Sequence, residues 1–197
     1  MLEKYISIIW AIIKDPYSYF SQEMPKDGTF KDPLLFAVIV LSISLTVYLT
    51  LLMTNLSAFL PSIFGAWVLT GTIIGALVFF PFIICASLFI SAFLTHSFLF
   101  LVFPKISGFK QTFDVLAYSC AAFVLIVVPF VGPLVCTVFN IRALVFGLCA
   151  VHNVSALKIF MLLVIIPIII MTALAMAFIG IFGEHVMLQY NQLINSL

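Results

Sequence analysis

Between Pro33 and Pro104 the chain has no Lys, Arg, Asp or Glu; Lys105, Lys110, Asp114, Arg142 and Lys158 then appear before the next charge, Glu184. Together with His96, His152 and Ser119, these are the side chains whose types can do chemistry. The chain is 65% apolar, so each charge at membrane depth needs a carboxylate, a lipid phosphate or water. Arg142 stands about 12 Å inside the end of its apolar run. Asp114 is the only acidic residue within reach of that end, and Tyr118 lies one turn along the same face. The spacing predicts an Asp114–Arg142 ion pair, which reads as a tie between two helices no less than as a ligand site. Lys105, Lys110, His152 and Lys158 are placed to meet lipid headgroups or a partner protein. For His152 the favoured role is a hydrogen bond to loop backbone, with phosphate binding beside Lys158 as the alternative. His96 reads as a hydrogen-bonded structural histidine before it reads as a ligand.

Catalytic arrangements fit poorly. Ser119, His152 and Asp114 are the residue types of a hydrolytic triad, but Ser119 lies above the loop that holds His152, and no nucleophile elbow surrounds it. The histidines are too scattered for a zinc motif, with His185 expected on the opposite face. Cys85, Cys120, Cys136 and Cys149 sit in apolar runs without a C-x-x-C pair, and read as reduced, buried thiols. No metal, cofactor or enzymatic activity is expected. A transport route through Arg142, Asp114, His96 and the Ser87–Ser91–Thr95 face is the alternative function. It is weakened by the single acidic residue and by the lack of an evident inverted repeat.

The elements that position these groups follow from composition. Charged residues make up 8% of the chain, against about 25% in soluble domains, and the mean hydropathy is +1.35. Only a polytopic, all-α membrane bundle accommodates that. The net charge of +1 gives no argument for nucleic acid. Leu2, Tyr5, Ile6, Ile9, Ile12 and Ile13 recur at helical spacing and predict an amphipathic helix on the membrane surface, or packed on the bundle. The Glu3-Lys4 start and the absence of a cleavage site do not read as a signal peptide. Residues 1–32 therefore form a cytoplasmic helix and linker, residues 33–182 the membrane domain, and residues 183–197 a short extracytoplasmic tail.

Spans are expected over about 34–53, 67–103, 113–128, 134–150 and 157–182. The run 67–103 is long enough for one kinked span around Pro81 or for two. Charge bias favours one. With five spans, Lys4, Lys14, Lys26, Lys31, Lys105, Lys110 and Lys158 all fall on one side, which places the N-terminus in the cytoplasm. Gly71 and Gly75 form a G-x-x-x-G. Together with Ser87 and Ser91 they are expected to pack helices closely, and a polar lining is the less favoured reading of the hydroxyls. Gly147 allows close packing near a helix end, and Ser155 is placed to cap the last span.

Several motifs fall in a recognisable order. Pro16-Tyr-Ser-Tyr-Phe20 and Pro33-Leu34 precede the first span. Phe113, Val115, Leu116, Tyr118 and Ser119 lie in a Phe-x-x-x-Asp/Arg-Val-Leu-x-Tyr-Ser block. The turn Pro129-Phe-Val-Gly-Pro133 and the series Gly147, His152, Ser155, Lys158 complete it. This order resembles the Ypt-interacting-protein (YIP/YIPF) family of membrane proteins and its prokaryotic relatives, across nearly the whole chain. Ala122 stands where a family proline is expected. The resemblance implies five transmembrane helices, a cytoplasmic N-terminal segment and a non-enzymatic scaffold or accessory role among lipids and other membrane proteins. A homo-oligomer also fits. In eukaryotic relatives it implies vesicle trafficking through small Rab-type GTPases. The short N-terminal segment here resembles the prokaryotic form, in a cytoplasmic membrane without a Rab cycle, so small GTPases are expected only in a eukaryotic host.

Overall fold

A computed structural model describes the backbone of residues 2–25, 29–57, 62–103, 105–128 and 130–195, and their side chains except those of 2, 56, 57, 62–66, 68, 69, 76 and 181–195. Lys26, Pro61, Pro129 and the side chain of His185 lie outside the described residues. These fold as helices without a strand among them, and five helices are long and apolar enough to cross a membrane. Helices are what such runs must form, because hydrocarbon offers no partner to an unpaired backbone group. The chain divides into two compact units, Met1–Ala156 and Leu157–Leu197.

In the first unit, α1 (Leu2–Lys14) leads into a turn of helix, α2 (Pro16–Ser18), and a π-helical turn, Tyr19–Glu23. Asp15 starts α2 by accepting the Ser18 amide at 3.2 Å, with Pro16 pre-set for the first helical position. The long helices α3 (Lys31–Ser57) and α4 (Ser62–Val102) pack along each other. The run that spacing left divisible is one helix. Its 41 residues measure about 61 Å, and Pro81 lies inside it.

α4 buries Ile84, Leu88, Ala92 and Leu99, one face at four- and seven-residue spacing. Ile84, Leu88 and Ala92 join Ala37 and Leu41 of α3 and Phe113, Ala117 and Cys120 of the third span in one core. Among the described residues, no neighbour outside α4 lies against its G-x-x-x-G. No described atom lies within 4 Å of a Cβ built on Gly71 or Gly75. Ser87 and Ser91 are exposed, and the Ser87 hydroxyl returns to Ile84 O at 3.0 Å. Nearer the other end of α4, Phe89 meets Phe113 at 4.7 Å between ring centroids, and Phe30 meets Phe113 at 5.1 Å.

The third span lies at the centre of the unit. It starts as α5 (Phe109–Ser119) and continues as a 3-10 helix, Cys120–Val127. Drawing out the second half to about 2 Å per residue gives the span about 32 Å, a full membrane crossing from few residues. Asn140 of α6 (Gly132–His152) donates to Ser119 O at 3.1 Å, where the helix type changes. The hairpin between them is tight. Phe130 holds a left-handed φ of 62° with its ring fully exposed. A Cβ on Gly132 would stand 2.6 Å from Ile126 O. α6 ends at Asn153, whose φ of 53° makes the left-handed cap usual for a helix end.

From Leu157 the second unit holds the rest of α7 (Ala156–Phe160), a π-helical turn (Met161–Ile165) and α8 (Ile166–Asn195). Ser155 directly precedes α7. The π turn sits just before Pro167, whose ring and missing N–H disrupt the regular helical ladder. The tail expected from residue 183 continues as helix to Asn195.

Candidate functional site

The polar residues gather where α4 ends, α5 begins and α6 ends. Their centre is Thr112, which is wholly buried on α5. Its hydroxyl lies 3.0 Å from His152 Nε2 and 2.9 Å from His96 Nδ1. The Ser107 backbone N–H donates to His152 Nδ1 at 3.1 Å, and the Ser107 hydroxyl donates to Val151 O at 2.6 Å. These contacts fix a direction. His152 Nδ1 accepts, so Nε2 carries the ring proton and donates to Thr112. Thr112 then donates onward to His96 Nδ1. One hydrogen-bonded line thus joins a loop and three helices, and it terminates on a backbone amide. That amide cannot accept and pass on a proton. Thr112 and Ser107 carry no sequence signal beyond being small polar residues in this segment. The two histidines were legible; what joins them was not.

Asp114 lies two residues further along α5. It is almost fully buried, and Lys110 binds it at 2.5 Å across an i, i+4 step. The expected Asp114–Arg142 pair is not formed. Arg142 instead donates from Nη1 to Ile13 O at 2.9 Å and from Nη2 to Lys14 O at 3.0 Å. Those carbonyls belong to the last turn of α1, where a helix has unpaired acceptors and a partial negative charge. They do for the guanidinium what a carboxylate would. Phe139 adds a ring face at 5.9 Å. The other side of α1 is held by Tyr5 against Phe36 at 5.6 Å and by buried Ile8 and Ile12, while Ile6 and Trp10 stay exposed.

The contact residues fare differently from one another. Lys105 and Lys158 are exposed, with Lys158 in the second unit. His152 is 3% exposed with both ring nitrogens engaged, so it does not present itself to a headgroup. Lys110 is partly buried, and Asp114 offsets its charge.

The N-terminal segment closes over this end. Phe20 packs into the notch left by Gly147, where an added Cβ would stand 2.7 Å from Val115 and 2.8 Å from Phe20. Tyr19 stacks edge-on to Tyr118 at 5.8 Å. Burial, then nearby Tyr118, Glu23 and Asp114, push the Tyr19 phenol well above its ordinary pKa and keep it protonated. Between this strap and the bundle lies a cavity of about 350 Å³. Phe20, Ser21 and Met24 form one wall, and Lys110, Asp114 and Val151 are on the other.

A family model for the Yip1 domain matches residues 10–178. The chain belongs to the Yip1 family. It is therefore a multi-pass integral membrane protein, of a family whose members are non-enzymatic. Neither a curated protein nor a solved structure matches it. The Yip1 match takes in residues 13–25 together with nearly all of the five spans.

Proposed function

We propose that this Yip1-family protein is a membrane scaffold or accessory subunit that acts by contact at its lysine-bearing face. Charge bias assigns that face to the cytoplasm. Partner membrane proteins meet it through the loops and the outward small residues of α4, while Lys105 and Lys158 engage anionic headgroups. Small GTPases enter only in a eukaryotic host. One observation carries the reading: the groups suited to chemistry are held in structural contacts. His152 is used at both nitrogens, Arg142 closes the end of α1, and Lys110 binds Asp114.

The transport alternative needs a continuous polar path. The histidine line speaks against one, because it ends on the Ser107 amide. A photo-cross-linker at Ser87 or Ser91, on the exposed side of α4, tests the scaffold reading in native membranes. We expect discrete cross-links to another membrane protein, weakened when Lys105 and Lys158 are neutralised together. Solute or proton flux in liposomes that is lost with His96→Ala would instead establish a transporter.

A further inference from the structure

The polar cavity has a charge pattern that an anionic headgroup alone does not match. Among its described lining residues Lys110 is the one cation and Asp114 the one anion, and the two are bound to each other. A ligand carrying only phosphate would meet the Asp114 carboxylate. A ligand carrying only an ammonium would meet Lys110. The surrounding helix ends repeat this pairing. Lys110 stands in the first turn of α5, whose Gly108 cap supplies no side-chain acceptor, so the amide end of that helix is open to negative charge. Ala150 and Val151 bring the carbonyl end of α6, which favours a cation. Phe20 and Met24 add apolar wall suited to short carbon linkers. The volume of about 350 Å³ is room for roughly ten waters. That suits a small headgroup.

We propose that this cavity binds a group bearing both a phosphate and a primary ammonium, the chemistry of an ethanolamine phospholipid headgroup. The phosphate faces Lys110 and the start of α5. The ammonium donates to Asp114 and the α6 carbonyls, which a quaternary choline, having no N–H, cannot do. A bound headgroup would bridge the N-terminal strap and the bundle and hold the strap closed. This deepens the scaffold reading by naming one lipid class for its contact face. It stands apart from that reading's protein partners, because lipid retention and protein cross-linking are read separately.

The test is native mass spectrometry of the full chain released from micelles holding equal amounts of ethanolamine, choline and glycerol phospholipids. Soluble phosphoethanolamine is added in a second arm. We expect the ethanolamine lipid to be retained at least tenfold over the other two. Displacement by soluble phosphoethanolamine at similar concentration would keep the chemistry and name a soluble source. Lys110→Gln and Asp114→Asn should each erase the preference. Because the Asp114 variant can fail to fold, Ser21→Trp, which fills the cavity from its rim and leaves the ion pair intact, should abolish retention in a protein whose helical circular dichroism matches the parent. Equal retention of the glycerol phospholipid, retention of none, or full retention by a folded Ser21→Trp protein would overturn the proposal.

Discussion

Replacing Thr112 by Val isolates the hydrogen-bonded line, because the two side chains have nearly the same shape. The change removes the hydroxyl that joins His152 at 3.0 Å and His96 at 2.9 Å. Interhelical hydrogen bonds in membrane proteins average about 0.6 kcal/mol and reach about 1.7. His152 belongs near the upper figure, because it is 3% exposed and its Nε2–H would lose its acceptor in the interior. His96 is half-buried, and other groups can partly replace the contact. Thr112→Val should therefore cost about 2 kcal/mol. Thr112→Ser keeps both bonds and loses one buried methyl, which costs about 1 kcal/mol or less. The order is the useful part, since a membrane interior judged by hydropathy alone would favour Val. Reversible unfolding in mixed micelles, followed by helical circular dichroism, measures both. A Val variant as stable as the parent, or a Ser variant less stable than Val, would refute the bridging role of Thr112.

Arg142→Gln should release α1 while leaving the bundle folded: we expect hydrogen exchange across residues 2–14 to speed up by about tenfold, about 1.4 kcal/mol of local docking, with little change in global melting. Gly147→Ala should destabilise by about 1–3 kcal/mol through overpacking against Val115 and Phe20, and Phe20→Leu should recover part of that; no recovery would show the conflict to lie elsewhere. Gly132→Ala should cost more than Gly147→Ala, because its Cβ would meet the Ile126 backbone oxygen and not a side chain that can rotate away. Single cysteines at positions 108 and 130 should label from opposite sides of the membrane, and labelling from one side would dismantle the five-span orientation.

What the sequence made legible is what hydropathy and charge spacing determine. The five apolar helices, the single helix through Pro81 and the close packing at Gly147 all follow from such patterns. The 3-10 half of the third span did not, since Cys120–Val127 has the composition of any apolar helix. The spacing of Gly71, Gly75, Ser87 and Ser91 is equally legible, but spacing does not say what covers such a face, and among the described residues no neighbour outside α4 lies against the two glycines.

The Arg142 expectation failed for a more instructive reason. Among ionisable side chains, Asp114 is the one carboxylate in reach of Arg142 by spacing. A helix C-terminus is also an anionic partner, but it appears in no count of acidic residues. Its position depends on where α1 folds back, which no local pattern gives. Once α1 is docked, the partly buried Arg142 is held by Ile13 O and Lys14 O, and the buried Asp114 by its i, i+4 neighbour Lys110. The charges that first marked this region therefore serve two separate tasks. Arg142 fastens the N-terminal helix, and the Lys110–Asp114 pair lines the cavity beneath the strap that follows it. A change at one should reach the other through residues 15–25 or along α6, which carries Arg142 and ends at the cavity.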